Sequence, residues 1–177
     1  MNIVLIGYRG SGKTSVGRAV AQRLGRPFVD TDALIEERAG CRIAEIFANE
    51  GEAAFRIREA AVVREVAAVD GQVISVGGGA VLSAANIEVL RAGGRTVWLE
   101  APAETLWERI RGDGSSAANR PDLTVAGGLE EVRTLLAQRE PLYRSAADEV
   151  VETARRSVDA IADEVVALCV GPDRGRQ

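Results

Sequence analysis

Gly7, Gly12, Lys13 and Thr14 stand at the spacing G-x-x-x-x-G-K-[ST] within the stretch GYRGSGKT. This pattern serves one kind of chemistry. Glycines let the backbone turn its N–H groups inward around phosphate oxygens, and a following helix directs its positive end at the same point. The lysine ammonium then reaches the β- and γ-phosphates, and the threonine hydroxyl faces Mg²⁺. Lys13 is the only lysine of the chain; every other basic residue is an arginine. A chain that accepts arginine wherever a cation suffices keeps, at this one position, the compact ammonium that fits inside a phosphate-wrapping loop. The plain alternative, a glycine-rich turn with a surface lysine, leaves that exception unexplained.

Phosphoryl transfer to a small molecule asks for three more things: a carboxylate near the acceptor hydroxyl, cations for acceptor and transition-state charge, and a lid that excludes water. Asp30 and Asp32 flank Thr31 at the end of an apolar run. One of the pair suits a helix N-cap, leaving the other to act. Cations are plentiful among the 21 arginines, most of which a helix face would simply leave solvated. The triple glycine 77–79 reads equally as a loose connection or as room for a ligand against bare backbone. A nucleotide switch is the competing class. Its guanine-reading Asn-Lys-x-Asp has only a superficial counterpart in Asn119-Arg120-Pro121-Asp122, which lacks the lysine and follows no apolar strand, and D-x-x-G occurs nowhere.

The elements that must position these residues follow from periodicity. A β-rich apolar run at 2–6 leads into the glycine loop, and helical spacing of Val16, Val20 and Leu24 predicts a helix over 13–24. The pattern continues with a strand at 27–30, a helix from about 33, helical residues 43–48, a helix at 52–69 and a strand at 72–76. A helix near 84–91, a strand at 96–99 and a helix from Pro102 to about 111 come next. Residues 112–128 (GDGSSAANRPDLTVAGG) lack periodicity and are expected to form a mobile lid. A helix from 129 to about 143, a strand around 149–151, a helix at 158–168 and a polar tail at 171–177 complete the reading. Strands alternating with helices predict an α/β fold, a mostly parallel sheet with helices on both faces.

Composition narrows the setting. With 177 residues and 46% hydrophobic content, one domain over 1–170 is the simplest organisation. A net charge of −4 and a pI near 5.1 argue against nucleic acid or an anionic membrane as partner. The absence of histidine removes the usual base of hydrolytic triads, and two cysteines are too few for a disulfide framework. No apolar run reaches membrane-spanning length and the first residues show no signal-peptide pattern, so a soluble, cytoplasmic protein is expected; the expected oligomeric state is a monomer.

GYRGSGKT, Asp30-Thr31-Asp32, GEAAFR at 51–56, the triple glycine, Asn119-Arg120-Pro121 and REPLYR at 139–144 occur in this order, and with them the chain resembles the shikimate kinases from residue 2 to about 168. The resemblance implies a P-loop, nucleoside-monophosphate-kinase-like fold with a five-stranded parallel sheet. It also implies phosphorylation of the 3-hydroxyl of shikimate by ATP with Mg²⁺, in aromatic amino acid biosynthesis.

Residue by residue, it assigns Asp32 to the attacking hydroxyl, and Lys13 and the lid's Arg120 to the phosphates. Gly10, Ser11, Gly12, Thr14 and Ser15 join Lys13 around ATP, with Arg109 on the adenine and Arg155 as a further contact. Thr14 and Asp30, the latter through water, serve Mg²⁺. Arg56 and Arg139 take the acceptor carboxylate beside Gly78, Gly79, Phe47 and Phe55, in a helical acceptor region at about 33–60. Two features depart from the family pattern: Arg120-Pro121-Asp122-Leu123 replaces the usual Arg-Pro-Leu-Leu, and the segment between Arg109 and Arg120 is longer. Gluconate kinases are the nearest rival, since gluconate also carries a carboxylate.

Overall fold

The computed structural model describes residues 1–112 and 128–170. Its frame is a parallel sheet in the order β2-β3-β1-β4-β5, from β1 (Asn2–Ile6), β2 (Phe28–Asp30), β3 (Val73–Ser75), β4 (Gly94–Glu100) and β5 (Glu149–Glu152). Every pairing in it is parallel. The helices are α1 (Lys13–Leu24), α2 (Thr31–Ala39), α3 (Ile43–Ala68), α4 (Ala84–Gly93), α5 (Ala103–Gly112) and α6 (Gly128–Ala146) between strands and α7 (Val158–Val170) after β5, with a 3₁₀ turn at Ala80–Leu82. The expected α/β fold and its five strands are therefore present.

The apolar run of β1 is buried along its whole length, as a central parallel strand covered on both faces must be. Its side chains alternate between two cores. Ile3 and Leu5 pack with Val16 and Val20 of α1 and with Ile161 and Val165 of α7. Val4 and Ile6 face the other way, toward Val62 and Val63 of α3, Leu90 of α4 and Tyr143 of α6. Each such fully buried aliphatic side chain contributes about 1.5–3 kcal/mol relative to exposure.

The strand β4 extends beyond the expected 96–99 because β1 pairs with it from Asn2↔Gly94 to Ile6↔Trp98. The two helical stretches expected around residue 50 form one long element, broken at Gly51, whose φ of 83° lies in the left-handed region that glycine tolerates. Helix α6 runs on to Ala146 through Pro141, which has no N–H to give the carbonyl four residues back. Among the described residues no helix is long and apolar enough to cross a membrane. Cys169 is a buried residue of α7, and burial pushes its thiol up to about 11. The expected lid, with Arg120 and Asp122, and the polar tail lie outside the described residues.

Candidate active site

The carboxyl ends of β1, β2 and β3 open on a cleft of about 590 Å³ whose wall includes residues 9–16, Asp30, Asp32, Gly78 and Arg109. Left-handed φ values at Gly10 (80°) and Gly12 (94°) bend the loop into α1, and no side chain among the described residues caps that helix. Its first N–H groups stay available to an anion. Lys13 is folded inside the loop: Nζ donates to Gly7 O at 2.8 Å, Tyr8 O at 2.9 Å and Ser11 Oγ at 3.5 Å. The loop's own carbonyls thus hold the ammonium where phosphates would enter.

Asp30 is the member of the aspartate pair that caps a helix, and it faces the phosphate loop at the same time. Its Oδ1 caps α2 by accepting from the N–H of Asp32 (3.1 Å) and Ala33 (3.4 Å), while Oδ2 accepts from Thr14 Oγ1 at 2.8 Å. A hydroxyl and a carboxylate side by side in the phosphate cleft form a hard-oxygen donor set of the kind Mg²⁺ prefers, so these residues fit the ion. The backbone is tied across the site as well, because Gly77 N–H donates to Thr31 Oγ1 at 3.3 Å.

A second cavity of about 220 Å³ lies between α3, the triple glycine and α6, lined by Phe47, Phe55, Arg56, Gly79 and Arg139 among others. Ile43 borders both cavities. None of Gly77, Gly78 and Gly79 adopts a left-handed φ. Their value is room: a Cβ on Gly77 would sit 2.6 Å from Asp32 Oδ1, and one on Gly79 2.7 Å from Arg56 Nη1. Arg56 lies over the Phe55 ring with its Cζ 5.2 Å from the centroid, and Arg139 lies over Tyr8 at 5.6 Å. Burial works against the Arg56 charge, but hydrogen bonds and charge from Glu59 and Glu52 outweigh it and raise the pKa.

The Shikimate kinase family model matches residues 9–169. A shikimate kinase of Symbiobacterium thermophilum is 52% identical over 166 residues, covering 94% of each chain. The chain belongs to the shikimate kinase family. Among solved structures it is similar to shikimate kinase from Acinetobacter baumannii in complex with shikimate, with a TM-score of 0.88 and 40% identity over 94% of this chain and 91% of that one. A gluconokinase from Sinorhizobium meliloti has a TM-score of 0.56 at 20% identity, over 94% of this chain and 89% of that one, a likeness of fold alone.

For a shikimate kinase family member the placement of the expected residues is informative. Asp32 and Gly78 line the larger cleft, whereas Arg56, Arg139, Gly79, Phe47 and Phe55 line the smaller. Asp32 stands at their boundary, against Gly77. Arg109 is held at the cleft wall by Thr153, with Nη2 to the carbonyl at 2.6 Å and Nη1 to Oγ1 at 3.0 Å. Arg155, with φ of 56°, is not among the cleft-lining residues; the neighbouring Arg156 is.

Three participants escaped the sequence reading. Tyr143 Oη donates to Gly78 O at 2.5 Å and its ring stacks on Trp98, centroids 5.8 Å apart, so the last aromatic of REPLYR holds the triple glycine in place. Glu131, buried at the start of α6, meets Arg9 of the loop at 3.4 Å. Glu59, buried on α3, accepts from Arg56 Nη1 at 2.8 Å. Its signal was present in the helical spacing of Glu52, Arg56 and Glu59, four and three residues apart.

Proposed function

We propose that this chain transfers the γ-phosphoryl group of ATP to the 3-hydroxyl of shikimate, giving shikimate 3-phosphate and ADP, the step of chorismate and aromatic amino acid biosynthesis that the family's name describes. The observation that carries the residue roles is the pairing of two adjoining cavities: a glycine loop with an inward lysine in one, and two arginines over aromatic rings in the other. Asp32 lies between them.

In this reading the acceptor's carboxylate sits on Arg56 and Arg139, because guanidinium groups meet both carboxylate oxygens. Phe47, Phe55 and Gly79 surround the ring, and Gly78 joins them from the cleft side. Asp32 holds the 3-hydroxyl and accepts its proton as the oxygen attacks the γ-phosphorus; the bond from phosphorus to the bridging oxygen breaks and ADP leaves. Lys13, the N–H groups at Gly10 to Gly12 and the start of α1, with Ser11 and Ser15 beside them, take the phosphate charge. Thr14 and Asp30 would hold Mg²⁺, which when bound would neutralise phosphate charge. Arg109 borders the adenine, and Arg120 is assigned to the phosphates from its motif. Binding and alignment supply most of the acceleration, since phosphoryl transfer needs little covalent help from the protein.

In this reading the chain is one kinase domain over 1–170, acting as a monomer in the cytoplasm. The test is ADP release from ATP and Mg²⁺ with shikimate, gluconate, nucleoside monophosphates or no acceptor. Turnover confined to shikimate is the expected result. Equal turnover with gluconate, or none with shikimate, would overturn the acceptor.

A further inference from the structure

Arg56 meets two carboxylates, and they differ in kind. Glu59 Oε2 accepts from Nη1 at 2.8 Å, and its side chain is only 2% exposed. Glu52 Oε1 accepts from Nε at 3.2 Å and Nη2 at 3.0 Å, and its side chain is 62% exposed. Glu59 is therefore a fixed mount: moving it off Arg56 would leave a buried charge without this partner. Glu52 can leave at small cost, because exposed pairs of this kind contribute little.

The edge that Glu52 occupies is also the useful one. Nε and Nη2 together form a side of the guanidinium that presents parallel N–H groups to a carboxylate. The ionisable residues lining this cavity are Glu52, Arg56, Glu59 and Arg139. Their charges cancel while Glu52 is in place, so an incoming anion meets no net attraction; with Glu52 withdrawn the remainder is positive. The break at Gly51 gives the withdrawn carboxylate somewhere to go. It makes Glu52 the first residue of the following helical segment, where a carboxylate is favoured by the positive end of the helix.

We propose that Glu52 is a displaceable counter-ion of the acceptor site, occupying the Nε/Nη2 edge of Arg56 until the acceptor's carboxylate takes it, and that this exchange sets acceptor affinity and selectivity for anionic acceptors. The inference rests on the reading of Arg56 as the acceptor's carboxylate partner. It makes Glu52 a specificity-determining residue that acts through Arg56.

Equilibrium binding of shikimate and of its methyl ester to the full-length chain tests it. Glu52→Gln keeps the shape and removes the charge; it should tighten shikimate about fivefold and leave the ester nearly unchanged. Glu52→Ala should shift binding in the same direction. A merely structural Glu52 would predict weaker binding of both ligands, and that result, or unchanged shikimate affinity, overturns the proposal. Equal tightening of acid and ester also overturns it. Arg56→Gln separates the two layers of argument. If it binds shikimate as wild type does, the Arg56 reading itself falls; if it loses shikimate while Glu52→Gln fails to gain, only the counter-ion falls.

Discussion

The two cavities of this kinase are built by different means. The phosphate cleft uses mainly backbone: left-handed glycines, the open start of α1, and a lysine held by the carbonyls of its own loop. The acceptor cavity uses side chains from distant segments, among them Phe47, Phe55 and Arg56 on α3 and Arg139 on α6, with Arg56 held by Glu52 and Glu59 of its own helix and Arg139 lying over Tyr8. Phosphate is common to many reactions and can be read by N–H groups at fixed spacing, whereas one particular acceptor must be read by shape and charge that only the folded chain brings together. The contrast predicts that damage on the loop side should abolish transfer, while damage on the acceptor side should mainly raise the acceptor's KM.

The sharpest way to break that contrast is Lys13→Met. Removing a preorganised cation from developing charge should lower kcat on the order of 10³-fold, with the folded state retained. Steady-state kinetics beside circular dichroism checks both halves. Near-normal kcat would mean that loop N–H groups suffice without the ammonium, and the special standing of the chain's one lysine would be lost.

Gly79→Ala probes the acceptor side with a smaller change. Gly79 has φ of −96° and ψ of −3°, which alanine adopts without strain, so the fold should tolerate the methyl group. That methyl would come within 2.7 Å of Arg56 Nη1 and Nη2, forcing the guanidinium to shift. The expected outcome is a rise of about tenfold in the KM for shikimate, with the KM for ATP nearly unchanged. An equal effect on both KM values would show that the two cavities are mechanically one.

What the sequence made legible follows the same division. The loop, its lysine, and the alternation of apolar strands with helices were readable because each is local: β1 is buried on both faces and so appears as an unbroken apolar run. The extent of β4 was not, since Gly94 looks like a connection until Asn2 pairs with it. Arg56 and Arg139 were legible only through motif resemblance, because a helix arginine is ordinarily solvated. Glu131 was missed for a related reason, whereas Glu59 stands three residues from its partner Arg56 and only its burial was illegible. A buried carboxylate is recognisable only by its partner, and Arg9 lies 122 residues from Glu131. At the β5–α7 connection, motif matching marked Arg155 while the fold turns Arg156 into the cleft wall.

Tyr143→Phe sharpens the comparison furthest, because it separates holding a site together from contacting its ligand. The phenol touches the carbonyl of Gly78, between the two glycines whose missing Cβ atoms make room for Asp32 and Arg56. Phenylalanine keeps the ring stacked on Trp98 but withdraws the donor, at a cost of about 1–3 kcal/mol if the buried carbonyl finds no substitute. A melting temperature a few degrees lower is therefore expected. Both cavities share this stretch of backbone, so kcat/KM for shikimate and for ATP should fall together, by roughly threefold to tenfold. A fall confined to shikimate would place Gly78 with the acceptor cavity alone. A drop in stability without any kinetic effect would show that the glycine backbone keeps its position without Tyr143, through the Thr31 contact at Gly77.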